Sequence, residues 1–284
     1  MTSVERDTAI DAALLLAIPS FLAVLHFFVP SDVQNQLVFY YGDPDPVTAW
    51  TSALLHGSDT HLYSNMVGYG VAIIPAYVIY SQWGRRREFW ASIFVLIVAV
   101  PFVTSAVDYW IFQIQFEVGE DISSRGFSGI ASAFGGMLLA SIGLFLVDEY
   151  DRQTAFSAIN LIVLVAMAFL AWNIGGLTPV IAGLVVLGLA LILSRLVSLS
   201  WIREPSSFVD ALRENQRGVV LALYGGFAVC VIVVAIFPVD VVEAGVLTNI
   251  FAHGVGFAVG IVGALAVYLF ATRGTDETPI VSAD

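Results

Sequence analysis

The chain has 284 residues, of which 58% are hydrophobic and only 12% charged, with a mean hydropathy of +0.88. A soluble domain of ordinary composition is about half apolar and a quarter charged, so these values exclude a single soluble domain and predict a polytopic membrane protein. The 11 basic residues, all arginine, against 23 acidic residues give a net charge of −12, which argues against nucleic acid as a partner. The single cysteine, Cys230, excludes an intrachain disulfide and a cysteine-cluster metal site.

Apolar stretches along the chain predict membrane-spanning helices. A span needs about 20 mostly apolar residues, because the bilayer core holds no water to satisfy the backbone. Eight stretches qualify and predict an all-α bundle, with spans near 9–30, 60–80, 89–114, 126–147, 154–173, 177–202, 218–238 and 246–271. They form one transmembrane domain, 9–271, between a cytoplasmic N-terminus, 1–8, and a cytoplasmic tail, 272–284.

Arginine placement predicts the orientation of these spans. Ten of the 11 arginines fall on the same side as the N-terminus, and only Arg125 falls on the other side. Positive residues favour the cytoplasm, so this distribution predicts a multi-pass cell-membrane protein with both termini inside. The long outer connection, 31–58, contains the aromatic run 38–41 and Trp50, which predicts a segment lying in the membrane interface.

Histidines in or near the spans are the first candidate functional residues, because ionisable groups inside a membrane are costly. His56 and His61 open the second predicted span, and Asn65 lies four residues after His61, on the same helical face. The pair His61 and Asn65 fits either an interhelical hydrogen bond or a functional site. His26, beside two phenylalanines, fits a packed or interfacial histidine, and we assign it no role.

The fourth predicted span begins with Gly126-Phe127-Ser128-Gly129. Taken alone, this string fits close helix packing as well as a catalytic serine. Ser128 falls in the first turn of the helix, where free N–H groups and the helix dipole favour the negative charge of a developing oxyanion. Its position makes Ser128 a candidate nucleophile.

The last predicted span begins with His253 and continues with Gly256 and Gly260. The two glycines form a face of small residues, as do Ser132 and Gly136 in the fourth span. Such faces allow helix backbones to approach closely. A serine and a histidine on two such helices could therefore reach hydrogen-bonding distance.

Depth in the membrane gives a further criterion. At 1.5 Å per residue, His61, Ser128 and His253 lie about 26–29 Å from the inner ends of their spans. The three helices run in the same direction in the predicted topology, so the three residues are expected in one layer near the outer face. Unrelated packing residues would not share a depth, and the common depth predicts a functional site.

Together these motifs resemble the rhomboid family of intramembrane serine proteases. The family pattern has His-x4-His-Leu-x2-Asn-Met on one helix, Gly-x-Ser-Gly on a second and Ala-His-x2-Gly-x3-Gly on a third. The matching residues here are His56, His61, Leu62, Asn65, Met66, Gly126, Ser128, Gly129, Ala252, His253, Gly256 and Gly260. Order, spacing and predicted orientation agree over about four helices.

The resemblance implies a six-helix core, here with about two extra spans, and a serine endopeptidase. Its substrates would be transmembrane proteins, cut in or near the bilayer. Ser128 would be the nucleophile and His253 its general base and then general acid. His61 and Asn65 would donate to the oxyanion, with His56 as a supporting residue. The resemblance implies no metal and no organic cofactor.

The chain departs from the family pattern at three points. Many members carry an aromatic residue four positions after the serine, on which the histidine rests, and this chain has Ser132 there. The arginine and glutamate of many bacterial members have no obvious counterparts. Three spans instead of one separate the serine from the histidine, and we take 218–238, which leads into the histidine helix, as the core fifth helix.

Two other functions fit part of the sequence. A catalytically weak or inactive rhomboid-like protein, binding membrane proteins as a quality-control adaptor, would keep the fold without the aromatic support. A transporter with a histidine proton relay fits intramembrane histidines, but it explains neither their shared depth nor the Gly-x-Ser-Gly string. Surplus acid without lysine also indicates a salt-adapted source.

Overall fold

The computed structural model describes residues 3–115, 122–176, 178–179, 182–183, 185–190, 213, 215–237, 242–243, 246–247 and 249–273. The α-helices named in this part of the chain are α1 (Ser3–Phe28), α2 (Ser31–Asn35), α3 (Pro46–Thr51), α4 (Asp59–Trp83), α5 (Arg86–Asp108), α6 (Ser128–Glu149), α7 (Arg152–Gly175), α8 (Gln216–Ile236) and α9 (Ile250–Arg273). A 3-10 turn, Ser52–Leu54, follows α3, and a π-helical segment, Tyr109–Gln115, continues α5. Four strands of two residues each are β1 (Phe39–Tyr40), β2 (Ser123–Ser124), β3 (Val242–Glu243) and β4 (Val246–Leu247). The protein is an all-α helical bundle, as predicted.

Seven helices within the described ranges are long and apolar enough to span a membrane, which makes this a multi-pass membrane protein. Each overlaps one predicted span, and the remaining predicted span, 177–202, lies largely outside the described residues. Helix ends differ from the predicted ones because caps, not hydropathy, set them. At the start of α4 the Ser58 hydroxyl accepts from the His61 N–H, and Gly84 ends the helix with a φ of 76°.

Helix α6 is the centre of the bundle. In its most apolar segment 83% of the residues are buried, against 17% in α7. It packs against α4, α5, α7, α8 and α9, while α8 also contacts α4 and α7. The glycines, alanines and serines of α6 leave room for so many neighbours, because small side chains let helix backbones approach.

Main chains of α6 and α9 are in direct contact. A Cβ atom built on Gly256 would overlap the carbonyl oxygen of Gly129, and one built on Gly260 would overlap that of Ala133. In the other direction, a Cβ on Gly136 would overlap the carbonyl oxygen of Phe257. Glycine is therefore required at these places by space alone.

The connection 31–58 packs inward against the bundle. In the aromatic run 38–41, Phe39 and Tyr41 are each 3% exposed, and their rings pack at right angles with centroids 5.7 Å apart. Tyr41 also packs against Phe112, and Trp50 donates from Nε1 to the carbonyl of Ile97 at 3.2 Å. Most of the run is covered by protein, because the rings of Tyr109 and Phe112, just after α5, offer it an apolar surface. The interfacial placement of the segment 31–58 stays a prediction.

An ion pair between the buried Asp11 carboxylate and the partly exposed Arg86 joins α1 to the bundle. Asp11 is 1% exposed, and its carboxylate accepts from Nε and Nη2 of Arg86 at 2.6 and 2.7 Å. The Tyr77 hydroxyl at 3.0 Å and the Trp90 indole at 2.9 Å donate to the same carboxylate. Four donors compensate the desolvation of the charge, so Asp11 anchors α1 to α4 and α5.

A second polar cluster lies at the same end of the bundle. Asp148 of α6 accepts from Arg85 at 2.9 Å, from the Trp83 indole at 3.2 Å and from the Tyr268 hydroxyl at 2.6 Å. The Arg85 guanidinium also lies 4.8 Å from the ring centroid of Trp83 and 4.9 Å from that of Tyr268. These contacts tie α4, α6 and α9 together.

Replacing Asp11 tests the anchor. We expect Asp11→Ala to lower the free energy of unfolding by about 2 kcal/mol, because Tyr77, Trp90 and Arg86 lose a shared charged acceptor. Asp7→Ala is the matched control: Asp7 also faces Arg86, but at 4.0 Å and with its side chain 58% exposed, so the cost should be under about 0.5 kcal/mol. Unfolding in detergent micelles, followed by circular dichroism, measures both. Equal losses would contradict the anchor.

Replacing Gly260 tests the contact between α6 and α9. We expect Gly260→Ala to destabilise the protein by about 1–3 kcal/mol, because the added methyl group pushes the two main chains apart. Gly70→Ala in α4 is the control, since no atom of the described residues lies within 4 Å of the place that its added methyl group would take. That variant should be neutral or more stable, as alanine favours helix by about 1 kcal/mol. The same unfolding assay compares them, and a stabilised Gly260→Ala would refute the contact.

Candidate functional site

The N-terminal ends of α4, α6 and α9 meet at the opposite end of the bundle from Asp11. A Cβ on Gly126 would lie 2.6 and 2.8 Å from Cε1 and Nε2 of His61, and 3.7 Å from Nδ2 of Asn65. A Cβ on Gly129 would lie 3.8 Å from the carbonyl oxygen of Ala252, the residue before His253. The fold therefore brings His61 and Asn65 to the segment before Ser128, and α9 to the residue after it.

Gly126 holds a backbone shape that other residues rarely adopt. Its φ is 137°, and the ring of His61 occupies the space that a side chain would need. Its N–H donates to the carbonyl of Ser52 at 3.1 Å, which ties the connection 31–58 to the start of α6. This glycine thus allows the chain to turn into α6 with His61 against it.

Ser128 is the first residue of α6. The first intrahelical bond runs from the Ala131 N–H to the Phe127 carbonyl, so the N–H groups before it have no partner within the helix. Such groups, with the helix dipole, stabilise negative charge. The start of α6 therefore offers donors to an anion formed beside Ser128.

A main-chain carbonyl orients the ring of His253. Nδ1 of His253 lies 2.7 Å from the carbonyl oxygen of Ile236, and the residue is 7% exposed. A carbonyl only accepts, so Nδ1 carries the proton and Nε2 keeps a lone pair. This is the tautomer that a general base requires. Sequence reasoning missed Ile236, because a backbone acceptor at a helix end leaves no mark in residue type.

Ser132 occupies the place where the rhomboid pattern has an aromatic residue. Its hydroxyl donates to the carbonyl of Ser128 at 2.7 Å, and the residue is fully buried. The side chain is therefore hydrogen-bonded to the first turn of α6 and offers no ring surface to His253. The carbonyl of Ile236 orients the imidazole instead.

Among the residues described, no hydrogen bond joins the Ser128 hydroxyl to the His253 ring; the bond from His253 Nδ1 goes to Ile236. In enzymes without bound substrate such bonds are commonly long and shorten in the complex. The two residues lie beside the main-chain contact between α6 and α9.

Asn65 and His61 supply donors beside Gly126. Asn65 is 6% exposed, and its Nδ2 is buried without an acceptor in the described part of the chain. A buried amide without an acceptor is costly, which is typical of a group that receives a ligand. His61 is close enough to His253 and to Arg125 to interact electrostatically with both.

His56 and His26 form a row of rings behind His61. The ring centroids of His56 and His61 are 5.2 Å apart, and those of His26 and His56 are 6.4 Å apart. Nε2 of His26 lies 2.9 Å from Oδ1 of Asp59, and its ring packs edge-on against Phe27 at 4.8 Å. Desolvation, followed by the charges of His61 and His26, lowers the pKa of His56 to about 3, so its ring is neutral.

Helix α8 matches the span predicted as the core fifth helix, 218–238, and it is the helix whose last residue holds His253. Helix α7 packs against α6 and α8. Within the described ranges, no group of three or more His, Cys, Asp or Glu side chains is arranged to hold a metal ion.

Comparisons with protein-family models, with curated proteins and with solved structures gave no match to this chain.

Acid should destabilise the protein through His56. The unfolded chain takes up a proton near the ordinary histidine pKa of about 6.5, while the folded state resists it down to about 3. Stability therefore falls as the pH drops between these values, by at most about 1.4 kcal/mol per pH unit from this residue, and is unaffected by it at higher pH. Unfolding in detergent at about pH 8 and about pH 5 should show a smaller acid loss for His56→Phe than for the wild type. Equal losses would be inconsistent with a buried neutral ring.

Proposed function

We propose that the protein is a rhomboid-type intramembrane serine endopeptidase that hydrolyses peptide bonds in or near transmembrane segments of protein substrates. The observation that carries the proposal is the bond from His253 Nδ1 to the Ile236 carbonyl, which leaves Nε2 as a base on a helix touching the serine helix. The proposed core is α1, α4, α5, α6, α8 and α9, with α7 and the predicted span 177–202 as the extra elements. The active site would lie near the outer face of the cell membrane, with both termini in the cytoplasm.

The first half of the reaction would form an acyl-enzyme. Ser128 Oγ attacks the carbonyl carbon of the scissile bond while His253 Nε2 takes the hydroxyl proton. The carbonyl oxygen becomes an oxyanion, which accepts from the backbone N–H of Ser128 and from the side chains of His61 and Asn65. The C–N bond then breaks, and the imidazolium gives its proton to the leaving amine.

The second half would release the acyl group. A water molecule gives a proton to His253 and its oxygen attacks the ester carbon, and the proton returns to Ser128 Oγ as the ester bond breaks. Two neutral catalytic side chains start and end this cycle, and no metal or organic cofactor enters it. His56 supports the ring of His61 from behind, at 5.2 Å between centroids.

In this proposal the end of α8, and not a carboxylate, orients the His253 base. The last carbonyls of a helix have no partner within it and carry partial negative charge. The Ile236 carbonyl therefore does two things that the aspartate of a catalytic triad does: it fixes the tautomer and favours the imidazolium formed in the reaction. This supports catalysis despite Ser132.

Two observations favour the second candidate, an inactive rhomboid-like protein that binds membrane proteins as a quality-control adaptor. In the described residues the Ser128 hydroxyl is not hydrogen-bonded to His253, and Ser132 offers the ring no support. An adaptor would keep the bundle and bind transmembrane segments without cutting them. Reaction of Ser128 with an active-site probe separates the two candidates.

Labelling by a fluorophosphonate probe in detergent tests the proposal. We expect the wild type to be labelled at Ser128, Ser128→Ala to lose labelling, and cleavage of a transmembrane substrate to fall at least about 1,000-fold in that variant. Ser141→Ala is the matched control, because Ser141 is a buried serine of the same helix that donates to the Leu138 carbonyl. Labelling of Ser128→Ala at the wild-type rate would overturn the serine mechanism. A wild type that binds the substrate but takes no label would instead establish the adaptor.

A further inference from the structure

We propose that Asp108 is a positioning residue for this site, whose carboxylate holds together the segments leading into the serine helix and the histidine helix. The proposal rests on the protease function proposed above. Asp108 is the last residue of α5 and is 1% exposed. It touches neither Ser128 nor His253 through any hydrogen bond of the described residues, so it would act through its neighbours.

One oxygen of Asp108 bridges the two segments. Oδ2 accepts from Nδ2 of Asn249 at 2.6 Å and from Oγ of Ser124 at 3.4 Å. Ser124 lies four residues before Ser128, and Asn249 lies four residues before His253. A single buried carboxylate therefore fixes corresponding points ahead of both proposed catalytic residues.

Asn249 passes this constraint to α9. Its Oδ1 accepts from the Ala252 N–H at 3.0 Å, which is the cap of the first turn of the helix. The amide orientation follows from its two partners, because Nδ2 must face the carboxylate and Oδ1 must face the N–H. Moving Asp108 would therefore move the first turn of α9, which carries His253.

Ser124 passes the constraint to α6. It belongs to β2, where Phe39 of β1 pairs with it in an antiparallel ladder. Two residues later, the Gly126 N–H is held by the Ser52 carbonyl. The lead-in to Ser128 is thus tied to the connection 31–58 on one side and to Asp108 on the other.

The energetic cost of burying Asp108 favours a role in positioning the site over a role in stabilising the fold. A carboxylate that is 1% exposed carries a large desolvation cost, and Oδ1 of Asp108 is buried without a hydrogen-bond donor in the described part of the chain. Apolar side chains of similar size in place of both Asp108 and Asn249 would pack here at lower cost. A two-residue site, in contrast, needs its members held within about 0.5 Å, and this bridge limits their relative movement.

A charge exchange between positions 108 and 249 tests the proposal. The readout is the second-order rate of fluorophosphonate labelling at Ser128, measured at about pH 8 so that carboxylates are ionised. We expect Asp108→Ala and Asn249→Asp each to lower this rate at least about 10-fold, because the first removes the bridge and the second sets two carboxylates against each other. Asp108→Asn retains an acceptor oxygen and should lose less than about 3-fold.

Rescue is the decisive result. Adding Asp108→Asn to Asn249→Asp restores a donor facing a carboxylate, and the carboxylate introduced at position 249 still caps α9, so labelling should return to within about 3-fold of the wild type. With a peptide substrate the losses should fall on kcat rather than on KM. Asp11→Ala serves as the stability control: it weakens the bundle at the far end and should keep wild-type labelling well below its unfolding temperature.

The outcomes separate this proposal from the protease function. Labelling of Asp108→Ala and Asn249→Asp at the wild-type rate, with Ser128→Ala unlabelled, would overturn the positioning role and leave the protease standing. Failure of the double variant to recover would also overturn it, as would labelling losses that follow the unfolding temperature in every variant, Asp11→Ala included. A wild type that takes no label at Ser128 would overturn the protease function, and the positioning role with it.

Discussion

The contact of α6 with α9 is the constraint on which the rest of the structure depends. Helices in a bilayer gain little from hiding apolar surface, so their association depends on close packing. Here Gly256 and Gly260 set the main chain of α9 against the carbonyls of Gly129 and Ala133. Gly129 directly follows Ser128, so the distance between the serine and histidine helices is determined by main-chain contact, which is stiffer than contact between flexible side chains.

Buried polar groups at the two ends of the bundle differ in how completely they are hydrogen-bonded. At one end, four donors reach Asp11 and three reach Asp148, and these groups hold helices together. At the other end, Asn65 Nδ2 and Asp108 Oδ1 are among the buried atoms without partners in the described residues, whereas nearer Asp11 one such atom, Ser92 Oγ, is found. Unpaired buried groups cost stability and are concentrated where a protein binds or reacts. This contrast argues for a site at the end that contains Ser128, independently of any sequence motif.

Local sequence patterns predicted the helices and part of the site. Apolar length predicted the spans, and the four-residue spacing of His61 and Asn65 predicted that both lie on one helical face. Both are found beside Gly126. Two features could not be predicted. The carbonyl of Ile236 has no residue signature, and the bond between Asp108 and Asn249 joins positions 141 residues apart. Composition also does not show that Phe39 and Tyr41 pack inward against neighbouring rings.

Extra spans between the serine and the histidine are compatible with the proposed chemistry because of what α8 contacts. Its last residue, Ile236, orients His253, and the same helix packs against α4 and α6. An insertion between α6 and α8 therefore leaves the site intact as long as it does not displace the end of α8. Helix α7 meets this condition by packing against α6 and α8. A histidine oriented by a helix end is in turn sensitive to any movement of that helix. The orientation of His253, the proposed base, would therefore depend on the position of α8 rather than on a neighbouring side chain.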